Sequence, residues 1–217
     1  DDGHFPRVQR TWGNVVLSRV PLLSIRGIST PKREAAVAVL RLVHGGRPLT
    51  MLVCSTHLPA MPLCRSRRAN ALRDLCDALH SDMAWDCAVV LGDFNFFFAS
   101  ESKSVPAGWH ELPGVLAAGM TWDPTRNAML SKYAPWPCMG MSLLPGFCWR
   151  MFSGIFGFRL DRVIVSSRSS AASINLGSTV ALFADSPVGK GAPPYLFPSD
   201  HFGLVVTLCL RGHCMTD

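Results

Sequence analysis

Four short polar clusters in this chain each touch the end of an apolar run. Ser55-Thr56-His57 ends the run at 49–56, and Gly92-Asp93-Phe94-Asn95 ends the run at 87–91. Leu160-Asp161-Arg162 opens the run at 160–166, and Ser199-Asp200-His201 precedes the run at 203–210. Taken singly, each polar residue reads as a turn residue or an Asx cap. Taken together, Asp93, Asn95, Asp161, Asp200, His201 and His57 are expected at one rim of a sheet core. The chemistry that set suits is metal-assisted hydrolysis of a phosphodiester. Carboxylates hold a hard cation such as Mg²⁺ through oxygen. A carboxylate or the metal activates water. Asn and His donate hydrogen bonds to charge developing on phosphate oxygens. An Asp partner fixes the tautomer of His and raises its basicity.

Other catalytic templates are missing. Gly140-Met141-Ser142 is no nucleophile elbow, because Leu144 stands where the second Gly belongs. Gly189-Lys190 is no P-loop, because position 184 is Ala, and no H-E-x-x-H occurs.

The clusters need strands to hold them. GNVVLSR at 13–19, EAAVAVLRLV at 34–43 and LTMLVCST at 49–56 have the β-branched or apolar content of strands. Gly45-Gly46 supplies the positive φ of a hairpin turn between the second and third. Between 65 and 80 the period changes. Leu72, Leu75, Cys76 and Leu79 line one face of an amphipathic helix, decorated by Arg65, Arg67, Arg68 and Arg73. CAVVL at 87–91 suits a strand buried on both faces. LDRVIVS and GLVVTLCL are further strands, and 174–183 is a weaker one. The expected class is α/β, with mixed or antiparallel sheets in one domain over 1–217.

Composition sets bounds. With 48% hydrophobic and 17% charged residues, the chain is not intrinsically disordered. At 217 residues it can bury roughly 70% of its unfolded surface. A net charge of +6 favours a polyanionic partner such as nucleic acid, or simply a solvated basic surface. Eight cysteines form no C-x-x-C pair, and several sit in apolar runs, so a reducing compartment is expected. The apolar segment 134–157 carries Pro135, Pro137, Pro145 and Arg150, which argues against a membrane span and for an insertion packed as a loop or lid.

The ordered set STHL (55–58), GDFN (92–95), RLDR (159–162) and SDHFGL (199–204) resembles the endonuclease/exonuclease/phosphatase superfamily. That resemblance covers about residues 13–210. It implies a two-sheet α/β sandwich of mixed and antiparallel strands, with helices outside, and a Mg²⁺-dependent hydrolase for which Mn²⁺ can substitute. Within the superfamily, Thr121-Trp122-Asp123 with Asn127, FRLDR at 158–162 and FPSDHFGL at 197–204 resemble the 5′-tyrosyl-DNA phosphodiesterases. The implied partner is DNA with a 5′-phosphotyrosyl end, in repair of topoisomerase-linked breaks, inside the nucleus and as a monomer. The implied roles are Asp93 on the attacking water and metal, Asn95 and His57 on the phosphate, and His201 on transition-state charge, held by Asp161. Asp200 supports the metal or phosphate, Trp122 stacks on a nucleotide, and Asn127 lies at the substrate.

The chain departs from the family in three places. The superfamily's Asn and metal-binding Glu precede its GN-x-x-LS segment, whereas residues 1–12 contain no Glu. The main metal Glu is therefore absent, and an N-terminally truncated chain with an exposed strand edge is expected. Ala60 and Phe97 stand where the tyrosyl-DNA enzymes often carry Ser and Arg, and Phe96-Phe97-Phe98 forms an apolar patch that packs under a loop or stacks on bases. The third departure is the 134–157 insertion. The competing functions are a sphingomyelinase-like or other phosphodiesterase of the superfamily, and a non-catalytic remnant.

Overall fold

The computed structural model describes residues 14–30, 33–82, 84–123, 126–127, 158–168, 174–184, 199 and 201–210. Asp200 and the 134–157 segment lie outside the described residues. Strands β1 (Leu22–Thr30), β2 (Arg33–His44), β3 (Arg47–His57), β4 (Cys87–Asp93), β5 (His110–Glu111) and β6 (Asp161–Ser167) form one sheet in the order β1-β2-β3-β4-β6-β5. Strands β7 (Ile174–Phe183) and β8 (Gly203–Leu210) form a second, antiparallel pair. Helix α1 (Arg65–Asp82) is the crossover that lets β3 and β4 run parallel, and α2 (Pro113–Ala117) follows β5.

Alternation along the strands builds two cores from one sheet. On one face Val37, Val39, Leu52, Cys54, Ala88, Val90 and Ile164 pack against Leu72, Leu75, Cys76 and Leu79 of α1. On the other, Leu40, Met51, Cys87, Val89, Val163 and Val165 meet Val180, Leu204, Val206, Leu208 and Leu210 of the second sheet. The result is a sheet-on-sheet sandwich with α1 outside, as expected from the motifs. Burial also pushes the Cys54 thiol up to about 12 and Cys87 up to about 11, so these free cysteines act as small hydrophobes.

The hairpin between β2 and β3 turns at Gly45-Gly46, with φ of 56° and 75°. The first expected strand is not one. Residues 14–20 form no strand; Asn14 donates its amide to the Glu34 carbonyl, and Val15 and Leu17 are exposed. The chain pairs only after Pro21, in β1, whose Leu22, Leu23 and Ile25 stay partly exposed. Pro21 lacks a donor for the ladder, which shifts the start of pairing to its C-terminal side.

Candidate active site

Register brings the polar clusters together. His57 pairs with Asp93 across β3 and β4, and Asp93 pairs with Asp161 across β4 and β6. These three residues form one row across the sheet. They share the parity of Met51, Val89 and Val163, so they project on the side of the second sheet. His201, just before β8, enters from that second sheet. Its Nδ1 lies 2.8 Å from Asp161 Oδ2. Oxygens of Asp93 and Asp161 and a ring nitrogen of His201 lie within 4.8 Å of one another.

Asp93 is held from several directions. Its Oδ1 accepts the Asn95 N–H at 2.8 Å, and its Oδ2 accepts the Asn95 amide at 3.0 Å and lies 3.4 Å from His57 Nε2. It therefore makes an Asx turn and belongs to the cluster. Asn95 sits at φ 52°, a left-handed conformation that Asn tolerates. The Asn95 side chain is buried, with its second amide hydrogen on the Leu58 carbonyl at 3.1 Å. Burial pushes the Asp93 carboxyl above its ordinary range, and the Asp161 charge pushes the same way. The positive ends of His201 and His57 and the Asn95 N–H oppose that rise.

Gly92 makes the turn feasible. Its φ is +134°, and a Cβ there would stand 2.0 Å from the Thr56 carbonyl oxygen. The strand end that presents His57 thus runs beside the one that presents Asp93 with no room for a side chain at position 92.

The remaining expected residues scatter in role. His57 is the most open of them, with 47% of its side chain exposed. Trp122 is partly buried, its ring 5.7 Å from that of Phe158. Asn127 is fully buried; its amide donates to the Ser199 carbonyl at 2.8 Å, fastening the segment ahead of His201. The phenylalanine patch divides. Phe94 and Phe96 are core, Phe97 packs 5.3 Å from Phe158, and Phe98 is half exposed.

Two groups escaped the sequence. Arg68 and Glu101 form an ion pair with no exposure to speak of, Nη2 to Oε1 at 2.6 Å. Arg68 also donates to the Pro59 and Met61 carbonyls, in the loop after His57, and Glu101 Oε2 accepts the Phe98 N–H, in the loop after Asn95. The signal was present: Arg68 lies at i−4 from Leu72, on the apolar stripe of α1. Thr121 is the second group, fully buried beside the start of β6.

No family model matches the chain, and no curated protein matches it. Solved structures do. A structure of D. rerio TDP2 complexed with single strand DNA product superposes with TM-score 0.59 at 18% identity, covering 87% of this chain and 68% of that one. An endonuclease/exonuclease/phosphatase from Bacteroides vulgatus superposes with TM-score 0.52 at 12% identity, covering 88% and 66%. This is the endonuclease/exonuclease/phosphatase fold. Truncated Caenorhabditis elegans TDP2 shares that fold with TM-score 0.55 at 18% identity, covering 86% of this chain and 65% of its own. The chain thus spans about two thirds of the length of these relatives. The two-sheet fold implied by the four motifs is the fold observed, and TDP2 structures are among those that share it.

Proposed function

We propose that this domain is a divalent-metal-dependent phosphodiesterase acting on DNA whose 5′ phosphate is esterified to tyrosine. The observation that carries this reading is the Asp161–His201 pair at 2.8 Å, bridging the two sheets beside Asp93. Asp93 is the group on the attacking water. Its raised affinity for a proton suits a base. His201 gives its Nδ1 to Asp161, which leaves Nε2 to face a phosphate oxygen. His57, open to solvent and 3.4 Å from Asp93, lies on the phosphate side of the row. Asn95 fixes both Asp93 oxygens and so sets its direction.

The donor set fits a hard cation in part. Asp93 and Asp161 offer carboxylate oxygens, whereas the His201 ring nitrogen is engaged with Asp161. Asp93, with Asp200 from the motif, would hold Mg²⁺ or Mn²⁺. Such an ion supplies charge neutralisation at the phosphate and a more acidic bound water.

Three features support nucleic acid as the substrate: the net charge of +6, the partly exposed Trp122 next in the chain to Thr121, whose hydroxyl accepts the Asp161 N–H, and the single-stranded DNA product bound to the D. rerio relative. Base stacking on Trp122 would contribute roughly 1–3 kcal/mol. Asn127, buried and donating to the Ser199 carbonyl, acts in this reading by holding the segment ahead of His201. The reading carries with it the nucleus as the place of action and a monomer as the working unit, both part of the proposal.

The test is hydrolysis of a 5′-tyrosyl oligonucleotide and of sphingomyelin vesicles, each with Mg²⁺ and with EDTA. We expect Mg²⁺-dependent release of tyrosine, lost in Asp93→Asn and His201→Ala. Turnover of the vesicles alone would transfer the site to a phospholipid. Inactivity on both at saturating Mg²⁺ would mark a non-catalytic remnant.

A further inference from the structure

We infer that Thr121 is the positioning residue that holds the Asp161–His201 pair in register across the two sheets. It touches neither the carboxylate nor the imidazole. Its hydroxyl oxygen accepts the N–H of Leu160 and the N–H of Asp161, both at 3.1 Å. A hydroxyl has two acceptor sites, and both are used here. Its carbonyl accepts the Phe202 N–H at 2.6 Å. One fully buried residue therefore fixes the peptide that presents Asp161 and the peptide that follows His201.

Neighbouring bonds fix Thr121 in turn. Trp122 and Phe158 exchange both backbone bonds, at 2.8 and 2.6 Å. The Leu160 carbonyl accepts the Phe94 N–H at 2.9 Å, which carries the same frame to the segment after Asp93. Asp161 opens β6 of the large sheet and His201 lies two residues before β8 of the small one, and no strand pairing joins β6 to β8 among the described residues. A hydrogen bond of 2.8 Å between them tolerates little drift of either end. Thr121 is bonded to both ends at once.

The inference rests on the catalytic reading for its effect on turnover, but the geometry of the pair is measurable without turnover. The experiment compares the full chain with Thr121→Val, Thr121→Ser and Thr121→Ala, using ¹⁵N shifts of the His201 ring at pH 8 and steady-state cleavage of the tyrosyl oligonucleotide. In the parent protein and in Thr121→Ser the ring should hold its proton on Nδ1, facing Asp161. In Thr121→Val the ring should show averaged tautomers. Its kcat should fall by about 10–100-fold, the scale of losing a group behind a site residue, with KM nearly unchanged. Should Thr121→Val not fold, Thr121→Ala takes its place, and Thr121→Ser is compared in either case.

A fixed Nδ1 tautomer and full kcat in the hydroxyl-free variants would overturn the inference. So would a Thr121→Ser protein as disordered at His201 as Thr121→Val. If the parent protein cleaves nothing, the catalytic reading falls, and the tautomer comparison still decides the role of Thr121.

Discussion

Replacing Arg68 by Met should unfold the domain more readily than any change on the exposed face of α1. The guanidinium is fully buried. It donates to Glu101 Oε1 at 2.9 and 2.6 Å, to the Met61 carbonyl at 2.5 Å, and to Pro59 and Pro62 at 3.3 and 3.4 Å. Without it, the Glu101 carboxylate is left in the interior with one donor, the Phe98 N–H at 3.1 Å. Breaking a buried pair in this way costs about 3–5 kcal/mol, because an uncompensated charge remains. For a chain of this length each kcal/mol moves Tm by about 2–4 °C, so Tm should drop by roughly 6–20 °C. The double variant Arg68→Met with Glu101→Leu removes both charges, and apolar groups of similar size restore part of the packing. It should be more stable than Arg68→Met alone, with a coupling of at least about 2 kcal/mol. Urea denaturation of the parent, both single variants and the double variant measures that coupling. A loss under about 1 kcal/mol in Arg68→Met, or strictly additive losses in the double variant, would refute the reasoning.

Two further outcomes follow from the site. Burial and the Asp161 charge raise the affinity of Asp93 for a proton in the folded state, so ionising it costs stability. That cost is absent below the unfolded value of about pH 4 and is complete above the folded value. In EDTA, Asp93→Asn should therefore match or exceed the parent's Tm at pH 7.5 and lose any advantage toward pH 4, whereas with Mg²⁺ present its turnover is lost; a clear Tm deficit at pH 7.5 would contradict the electrostatics. Gly92→Ala forces a Cβ to 2.0 Å from the Thr56 carbonyl in a backbone region that suits Gly, so it should cost more than about 3 kcal/mol, and a denaturation midpoint near the parent's would show that the strands do not meet as described.

Much of the architecture is legible because strands and helices announce themselves by local pattern. EAAVAVLRLV, CAVVL and LDRVIVS became β2, β4 and β6, and Gly45-Gly46 became the hairpin turn. Where pattern misled, the reason is pairing. GNVVLSR has strand composition, but residues 14–19 pair with no strand among the described residues, whereas the mixed LLSIRGIST at 22–30 pairs along β2. Ser24, Arg26 and Gly27 hide β1 from an apolar count, although pairing with β2 settles it in the fold. Arg68 reads as one of the arginines decorating α1, yet it is fully buried, because its partner Glu101 lies 33 residues away and only the fold brings the two together.

By itself the sequence determined which residue types end the strands: Asp93 and Asn95 after CAVVL, Asp161 before VIVS, and His201 before GLVVTLCL. These follow from apolar runs and turn chemistry, which are local. Only the tertiary structure decided that His57, Asp93 and Asp161 form one row, that the row faces the second sheet, and that His201 reaches Asp161 across it. It also decided that Asn95 and Asn127 spend their amides on the protein itself. The physical reason is that side-chain direction depends on strand register, and register is set by partners distant in the chain. A shift of one residue in β4 or β6 would turn Asp93 or Asp161 to the helix face and dissolve the site.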